Sequence, residues 1–409
     1  MLCFIEHQVS VNYRTVMKSS LSNLHPRLFK KELRMMIDIV YLYSTLRRTG
    51  PTSQLYYLLR HLDRSRFNPR ILTISPEPEN SDFSRFKELD IIIECLGLKR
   101  KSIFYSLTKR KNRLLENSFH IVQSYGLRAD MFSVNYFAKE NSVNITTVRN
   151  DIHYDSINNN HGLINKLITR IYMNNVKRMD YIVACSRTIS RVLRGYGVSS
   201  LTINNGVDVE SFLPLSREEK SKMRRKLDIP NDKLVMIFTG RVIRSKDIHT
   251  LIRGFKRSRI SNRSILLILG DGDDLGRCIL EANNDDSIRF LRFRKNVKEY
   301  LQVSDLYVSA SKTEGMPNSV LEALSCGLPV CLSEIDQHKE VIELDRKAGF
   351  LFTRGSTESF AEELDRVGNQ DLEVMSRHAR SLAEKEFSAK EMSLRYQRTY
   401  EKLLEKFPR

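Results

Sequence analysis

Short apolar runs alternate with longer amphipathic segments along most of the chain. The runs of the first half lie at Ile37–Tyr43, Ile71–Ile74, Ile91–Glu94, Ile121–Gln123, Ile145–Val148 and Tyr181–Ala184. Those of the second half lie at Leu234–Thr239, Ile265–Leu269, Ile288–Leu291, Leu306–Ser309 and Pro329–Leu332. The intervening segments with a helical period include Gln54–Leu62, Ile164–Arg178, Ile248–Phe255 and Ser319–Ser325. Strands and helices that alternate in this way form parallel sheets covered on both faces. The two series therefore predict an α/β protein with two doubly wound, Rossmann-like domains.

The two series join near Asn205-Gly206, because Asn-Gly favours a turn and Pro214 follows soon afterwards. We therefore expect one domain over residues 34–205 and a second over residues 206–388. Residues 1–33 are polar and basic without a sustained period, and we interpret them as an N-terminal extension.

The last segment of the chain is amphipathic. Met392, Tyr396, Tyr400 and Leu404 recur at steps of four, which is typical of one face of a helix. We expect this final helix, within residues 389–409, to pack back on the N-terminal domain.

The composition is that of an ordinary globular protein with two domains. The 409 residues are 41% hydrophobic and 28% charged. No apolar run approaches the roughly 18 residues that span a bilayer, and the N-terminus lacks a secretory pattern. The six cysteines are scattered, which is typical of reduced thiols, so we expect a cytoplasmic protein.

The formal net charge of +18 indicates an anionic partner. Nucleic acid is a remote alternative, because the sequence has no zinc-ligand spacing, aromatic RNA-binding motif or helix-turn-helix pattern. Leu98–Leu115 carries seven basic residues and no acid, with Ile103 and Phe104 interleaved. A basic helix with an apolar side binds anionic membrane surfaces, although a solvated basic face would have the same pattern.

The strongest candidate site follows the predicted strand Leu306–Ser309. Ligands of open α/β sheets bind at the carboxyl ends of strands, and Glu314 and Glu322 flank a turn there. Ser319 is a plausible N-cap, and a capping box of Ser319 with Glu322 would by itself explain Glu322. It would not explain Glu314. A helix N-terminus after this turn would also bind phosphate.

Two further loops follow predicted strands. The loop from Gly240 to Asp247 carries Arg241 and Lys246, cations that suit a diphosphate, although a solvated basic loop is equally compatible. Asp271-Gly272-Asp273 could bind a divalent metal ion, but a Gly/Asp turn is the commoner meaning of such a sequence.

Together these motifs resemble the retaining glycosyltransferases of family 4, which have the GT-B fold of two Rossmann-like domains facing a cleft. The resemblance is carried by Glu314 and Glu322 with seven residues between them, by Arg241 and Lys246, and by Asn205-Gly206-Val207-Asp208. It implies that Glu314 contacts the donor sugar, that Glu322 binds the ribose, and that Arg241 and Lys246 neutralise the diphosphate. The donor-binding loops that it implies comprise Gly240, Gly315, Met316, Pro317, Asn318 and Ser319.

The N-terminal half departs from the family pattern. The usual pair of glycines in the first loop is reduced to Gly50, which with Arg149 and Asn150 marks the expected acceptor side. Family members often carry histidines after the middle strands, where this chain has Gln123-Ser124-Tyr125-Gly126 and Thr147-Val148-Arg149-Asn150. His153 lies nearby but is more simply an incidental loop histidine.

The resemblance predicts an enzyme that moves a sugar from a nucleotide sugar, such as a UDP-sugar, to a glycan or lipid-linked acceptor. It implies retention at the anomeric carbon, a role in surface polysaccharide or lipid-linked glycan synthesis, and a position at the inner face of the cytoplasmic membrane. The two cations and a helix N-terminus can together neutralise a diphosphate without a metal ion. We therefore expect no cofactor. A sugar-nucleotide epimerase of the same fold is the alternative. A glycoside hydrolase would have no use for the two cations.

Overall fold

The structure is a computed structural model that describes residues 36–98, 118–137, 142–150 and 162–407. Two parallel sheets organise these residues. The strands of the first are β1 (Ile37–Tyr43), β2 (Phe67–Thr73), β3 (Ile92–Cys95), β4 (Ile121–Ser124), β5 (Val143–Val148), β6 (Tyr181–Ala184) and β7 (Leu201–Thr202). Their order across the sheet is β3-β2-β1-β4-β5-β6-β7. The chain therefore reverses its direction of winding between β1 and β4, where Ile39 is paired with Ile121.

The second sheet has the order β10-β9-β8-β11-β12-β13. Its strands are β8 (Leu234–Thr239), β9 (Ser264–Leu269), β10 (Ile288–Arg292), β11 (Leu306–Ser309), β12 (Val330–Ser333) and β13 (Gly349–Phe352). The winding reverses between β8 and β11, where Tyr307 is paired with Ile237. Both sheets are thus Rossmann-like, and the predicted fold class is confirmed.

Within the described ranges, helices lie between successive strands, as parallel pairing requires. In the first half they are α1 (Gly50–Arg60), α2 (Phe83–Lys87), α3 (Leu127–Tyr136), α4 (Gly162–Val176) and α5 (Arg187–Gly195). The second half contains α6 (Arg217–Lys226), α7 (Ile248–Arg257), α8 (Leu275–Ala282), α9 (Val297–Val303), α10 (Asn318–Ser325), α11 (Asp336–Ile342), α12 (Thr357–Val367), α13 (Leu372–Glu386) and α14 (Ala389–Lys406). Within the described ranges, none of the helices has the length and apolar character needed to cross a membrane.

The central strands are buried along their whole length, which is why they appear as continuous apolar runs. All six residues of β9 are buried, and β1 is buried from Ile39 to Tyr43. Helices cover both faces of such a sheet, so most positions of these strands are apolar on either face, and the polar ones, such as Gln123 and Thr147, are buried. Two edge strands were not predicted: β7 has only two residues, and β13 is a four-residue strand that begins with a glycine.

The chain crosses between the two halves twice, and the two crossings lie side by side. Val207 forms a parallel bridge with Ser388, and its N–H donates to the carbonyl of Phe387 at 2.7 Å. A Cβ on Gly206 would lie 2.5 Å from the Cα of Ala389, so the crossings are in direct contact. The boundary between residues 205 and 206 stays a prediction.

Helix α14 follows the second crossing and packs on α1 and on the first sheet. Ser393 Oγ donates to the carbonyl of Leu58 at 2.8 Å. Tyr400 donates a hydrogen bond to Gln123 Oε1, and its hydroxyl lies 3.2 Å from that of Tyr41. Tyr396 lies 3.3 Å from Thr147 Oγ1. Buried hydroxyls and amides therefore satisfy one another where α14 meets β1, β4 and β5.

This polar contact predicts the effect of removing a single oxygen. Tyr400→Phe leaves Gln123 without its buried donor, so we expect the free energy of unfolding to fall by about 1–3 kcal/mol. Urea denaturation followed by circular dichroism measures it. Lys402→Ala, on the exposed side of the same helix, should change stability by less than about 0.5 kcal/mol. A Tyr400→Phe variant as stable as the wild type would show that these buried contacts contribute nothing.

Candidate functional site

The predicted site residues of the second half lie at the point where the winding of the second sheet reverses. The loop that begins at Gly240 leaves the carboxyl end of β8, and the loop that contains Glu314 leaves β11, the adjacent strand. Loops on either side of such a reversal diverge and leave a crevice between them. The topology therefore brings together two motifs that are about 70 residues apart in sequence, as expected for a ligand site.

The loop after β8 presents two cations. Arg241 is exposed, and its side chain makes no hydrogen bond or ion pair with the described residues, although its carbonyl accepts from the N–H of Ile243 at 3.1 Å. The loop then forms a short 3-10 turn, Arg244–Lys246, which places Lys246 just before α7. The Lys246 side chain is 19% exposed and forms an ion pair with Glu314 Oε1. One cation is thus free in solvent, whereas the other is held by a carboxylate.

Glu314 is held in its ionised form. Burial is the largest single influence and would raise the pKa of Glu314, but the charge of Lys246, together with His338 and the hydrogen bonds from Lys246 and Ser311, lowers the pKa below its usual range. Ser311 Oγ also donates to Glu314 Oε1 at 2.7 Å. An ionised, oriented carboxylate can accept hydrogen bonds from sugar hydroxyls.

The turn after Glu314 corrects one prediction. Helix α10 begins at Asn318, and its N-cap is Pro317, which has no side-chain acceptor. Ser319 therefore lies inside the helix, where its Oγ is 2.8 Å from the hydroxyl of Tyr307. The predicted capping box of Ser319 with Glu322 is wrong, so capping does not explain Glu322. Because no side chain caps this helix, its first N–H groups are available for an anion.

Glu322 is half-buried on α10 and has an unusual acidity. Burial raises its pKa to about 7, and the guanidinium of Arg85, from the first half, opposes the rise only partly. Carboxylates with a strongly raised pKa are common at functional sites, which favours a role for Glu322 in binding a hydrogen-bonding ligand.

The turn that contains Gly315, Met316 and Pro317 is fixed against the first half of the chain. A Cβ on Gly315 would lie 1.7 Å from the carbonyl oxygen of Arg149, so glycine is required by the close approach. Ser186 Oγ donates to the carbonyl of Gly315 at 2.8 Å. Asn205 Nδ2 lies 3.4 Å from the carbonyl of Met316.

A network of side-chain amides continues this contact. Asn318 Oδ1 accepts hydrogen bonds from Asn205 Nδ2 at 2.8 Å and from Gln54 Nε2 at 3.3 Å. Arg149 is buried and donates to Asn205 Oδ1. A Cβ on Gly50, at the start of α1, would lie 2.7 Å from Asn318 Nδ2. Gly50 and Arg149, two of the residues expected on the acceptor side, thus adjoin the turn of the predicted donor site.

Asn150, the third residue expected on the acceptor side, follows Arg149 and is exposed. Its backbone nitrogen would lie 3.4 Å from a Cβ on Gly315. Gln123 and Thr147 bond to each other at 3.0 Å and also contact α14. Gln123 and Thr147, the first residues of the two stretches where histidines are often found in the resembled family, are therefore structural side chains in this protein. The basic segment over residues 99–115 and His153 lie outside the described residues.

The Asp271-Gly272-Asp273 sequence forms a turn. Asp271 Oδ1 accepts from the N–H of Gly272 at 2.8 Å, while the carbonyl of Asp271 accepts from Val242 N–H at 2.9 Å. The carboxylates of Asp271 and Asp273 are exposed. Among the described residues, the group whose geometry could hold a metal ion does not include either aspartate.

Sequence reasoning missed His338 and Ser311. His338 Nδ1 donates to the carbonyl of Ser333 at 2.8 Å, and its Nε2 is buried without a partner among the described residues. Burial lowers the pKa of His338 to about 4, against the opposing charge of Glu314. His338 is therefore a neutral acceptor near the Glu314 carboxylate. Its position shortly after β12 was the available signal.

Two family models match consecutive parts of the chain. The model described as "Glycosyltransferase Family 4" matches residues 48–211, and the model described as "Glycosyl transferases group 1" matches residues 219–385. The second range contains the two cations and both glutamates of the site.

Curated relatives are similar over part of their length. A galactosyltransferase of Escherichia coli that acts on N-acetylglucosaminyl-diphosphoundecaprenol is 29% identical over 188 residues, which are 44% of this chain and 48% of that protein. The alpha-monoglucosyldiacylglycerol synthase of Acholeplasma laidlawii is 29% identical over 213 residues, 47% of this chain and 53% of the synthase. The matched regions thus span about half the length of these relatives.

Solved structures are similar over nearly the whole chain. Anabaena HepE in complex with UDP superposes with a TM-score of 0.75 at 17% identity, covering 90% of this chain and 100% of HepE. Sucrose-phosphate synthase from Thermosynechococcus elongatus also gives 0.75, at 16% identity, covering 90% and 99% of the two chains. These similarities concern the fold. With both halves matched by family models and with the GT-B fold, the chain belongs to the group 1 glycosyltransferases of family 4.

Proposed function

We propose that this protein transfers a sugar from a nucleotide diphosphate sugar to an acceptor hydroxyl with retention at the anomeric carbon. The observation that carries the proposal is the convergence of Arg241, Lys246, Glu314 and the uncapped start of α10 beside the β8–β11 reversal. HepE, which has a similar fold, was solved with UDP, which supports a uridine nucleotide as the donor's carrier.

The charges of the site suit a diphosphate leaving group. The negative charge on the diphosphate grows as the glycosidic bond breaks, and cations that are already in place stabilise that charge without having to move. Arg241 is free to form forked hydrogen bonds, and Lys246 is already placed by Glu314. The first N–H groups of α10 supply further donors. Glu314 orients a sugar hydroxyl, and Glu322 accepts from the ribose.

The acceptor's proton needs no histidine in this scheme, because an oxygen of the leaving diphosphate can take it. That suits a chain in which Gln123 and Thr147 serve the packing of α14. Relatives that act on lipid-linked substrates support a glycan or lipid-linked acceptor, as in surface polysaccharide synthesis. Binding of the basic segment to an anionic membrane stays a prediction, tested by salt-reversible binding to anionic vesicles.

The two cations give the first prediction of this function. Arg241→Ala or Lys246→Ala should raise KM for the donor and lower kcat, at a cost of about 2–4 kcal/mol in kcat/KM. Release of nucleoside diphosphate measures turnover once a thermal-shift panel has identified the donor. Arg257→Ala, at the far end of α7, is the matched control. Release that depends on an added acceptor separates transfer from epimerisation, and wild-type turnover in both site variants would contradict the assignment.

Substitution of Glu322 should affect donor affinity and the free energy of unfolding in different ways. Because its folded pKa of about 7 exceeds the usual 4.5, its stabilising contribution is complete below pH 4.5 and is lost as the pH rises through 7. Glu322→Gln is permanently neutral, so it should be more stable than the wild type at pH 8, by about 1–2 kcal/mol, and equal to it near pH 4. Donor affinity should fall in the same variant.

The control for this experiment is Glu362→Gln, an exposed position of α12. It should change neither stability nor donor affinity. A Glu322→Gln variant that binds the donor as tightly as the wild type would remove Glu322 from the ribose site.

Metal independence gives a third prediction. Turnover should persist in excess EDTA, because protein cations meet the diphosphate charge. NMR of the product should show the anomeric configuration of the donor. Activity that EDTA abolishes and that Mg²⁺ or Mn²⁺ restores would assign the leaving group to a metal ion, with Asp271 and Asp273 as its candidate ligands. An inverted product would contradict retention.

A further inference from the structure

Helices α7 and α8 bring a histidine, a carboxylate and a thiol together beside the candidate site. His249 is the second residue of α7, Asp274 precedes α8, and Cys278 follows one turn later. Their ligand atoms lie within 4.8 Å of one another. The side chains of Asp274 and Cys278 are buried, whereas that of His249 is 24% exposed. The group is therefore built into the core and open to solvent on one side.

The two distances from His249 to the other ligands are close to those of a zinc site. His249 Nε2 lies 3.5 Å from Asp274 Oδ2 and 3.8 Å from Cys278 Sγ. A tetrahedral zinc ion, with bonds of about 2.0–2.3 Å, places a nitrogen and an oxygen about 3.4 Å apart and a nitrogen and a sulfur about 3.6 Å apart. The two distances from His249 therefore differ from this geometry by only a few tenths of an ångström, and the oxygen of Asp274 and the sulfur of Cys278 lie within 4.8 Å of each other. Nitrogen, sulfur and oxygen together are a ligand set typical of zinc.

The surroundings of His249 support the same interpretation. His249 Nδ1 bonds to Glu281, which is also paired with Arg253. A carboxylate on one ring nitrogen fixes the tautomer and leaves the other nitrogen as a ligand, and metal-binding histidines usually have such a partner. Nε2 is therefore directed at Asp274 and Cys278 in the form that binds metal.

The charges also allow a divalent ion. Arg277 contacts Asp274 Oδ1 at 2.7 Å, on the oxygen away from His249, so Oδ2 remains available. Binding replaces the S–H bond of Cys278 by a sulfur–zinc bond and releases one proton to the buffer. The thiolate and the Asp274 carboxylate then balance the two positive charges of the ion.

We propose that His249, Asp274 and Cys278 bind one Zn²⁺ ion, with solvent in the fourth position, and that this ion has a structural role. The site connects the start of α7, three residues after Lys246, with the turn between β9 and α8. That turn is itself attached to the loop of Arg241, because Asp274 N–H donates to the carbonyl of Val242 at 3.1 Å. A zinc ion here ties the loop that holds both donor-site cations to the turn after β9, without touching the donor.

The test uses the full chain after removal of metal by a chelator. One equivalent of Zn²⁺ should bind, as measured by mass spectrometry for metals after gel filtration, and should raise the melting temperature by about 5 °C. Co²⁺ in its place should give a thiolate-to-cobalt charge-transfer absorption. Cys278→Ala and His249→Gln should each lose that absorption and the thermal shift. Cys331→Ala, which removes another buried cysteine, should retain both.

The outcomes are decisive in both directions. A variant that folds like the wild type in chelator but no longer responds to Zn²⁺ supports the site. Binding that survives Cys278→Ala, or a cobalt spectrum without a thiolate band, overturns it and indicates metal on surface histidines. Since Mg²⁺ and Mn²⁺ do not replace zinc at a thiolate, failure of this proposal is distinguishable from failure of metal-independent transfer.

Discussion

The contact between Gly315 and the carbonyl of Arg149 is the constraint on which the candidate site depends. No side chain fits at residue 315, because its Cβ would lie 1.7 Å from that oxygen. Glu314 immediately precedes the contact, and the uncapped start of α10 follows it by three residues. A single backbone approach therefore sets the positions of a carboxylate and of a helix N-terminus. The amides of Asn205, Asn318 and Gln54 hold the approach in place.

The ion pair of Lys246 and Glu314 is the electrostatic counterpart of this contact. Two partly buried charges are costly to desolvate and are tolerated when each satisfies the other. In the donor complex the ammonium group would also face the diphosphate, and the carboxylate would also face the sugar. The pair thus keeps both groups ionised and placed before the donor arrives, which is the condition for electrostatic stabilisation of a leaving group.

The fold could be predicted from the sequence because buried parallel strands appear as continuous apolar runs, from Ile37–Tyr43 to Leu306–Ser309. The two loops of the candidate site could also be predicted, because each directly follows such a strand, β8 or β11. The capping box at Ser319 was predicted wrongly, since the N-cap of this helix is Pro317, two residues earlier. The partners of Gln123 and Thr147 on α14 are more than 240 residues away, and no local pattern reveals contacts of that range. His249 and Cys278 are only 29 residues apart, but they lie on different helices, and tertiary packing alone brings them together.

The central claim is that protein groups, and not a metal ion, bind the diphosphate of the donor. Calorimetric titration with UDP and with uridine, in buffer that contains EDTA, tests it directly. The account predicts that UDP binds, that uridine binds far more weakly, and that the double variant Arg241→Ala with Lys246→Ala loses most of this difference. UDP binding that requires added Mg²⁺, or that is equally tight in the double variant, would contradict it.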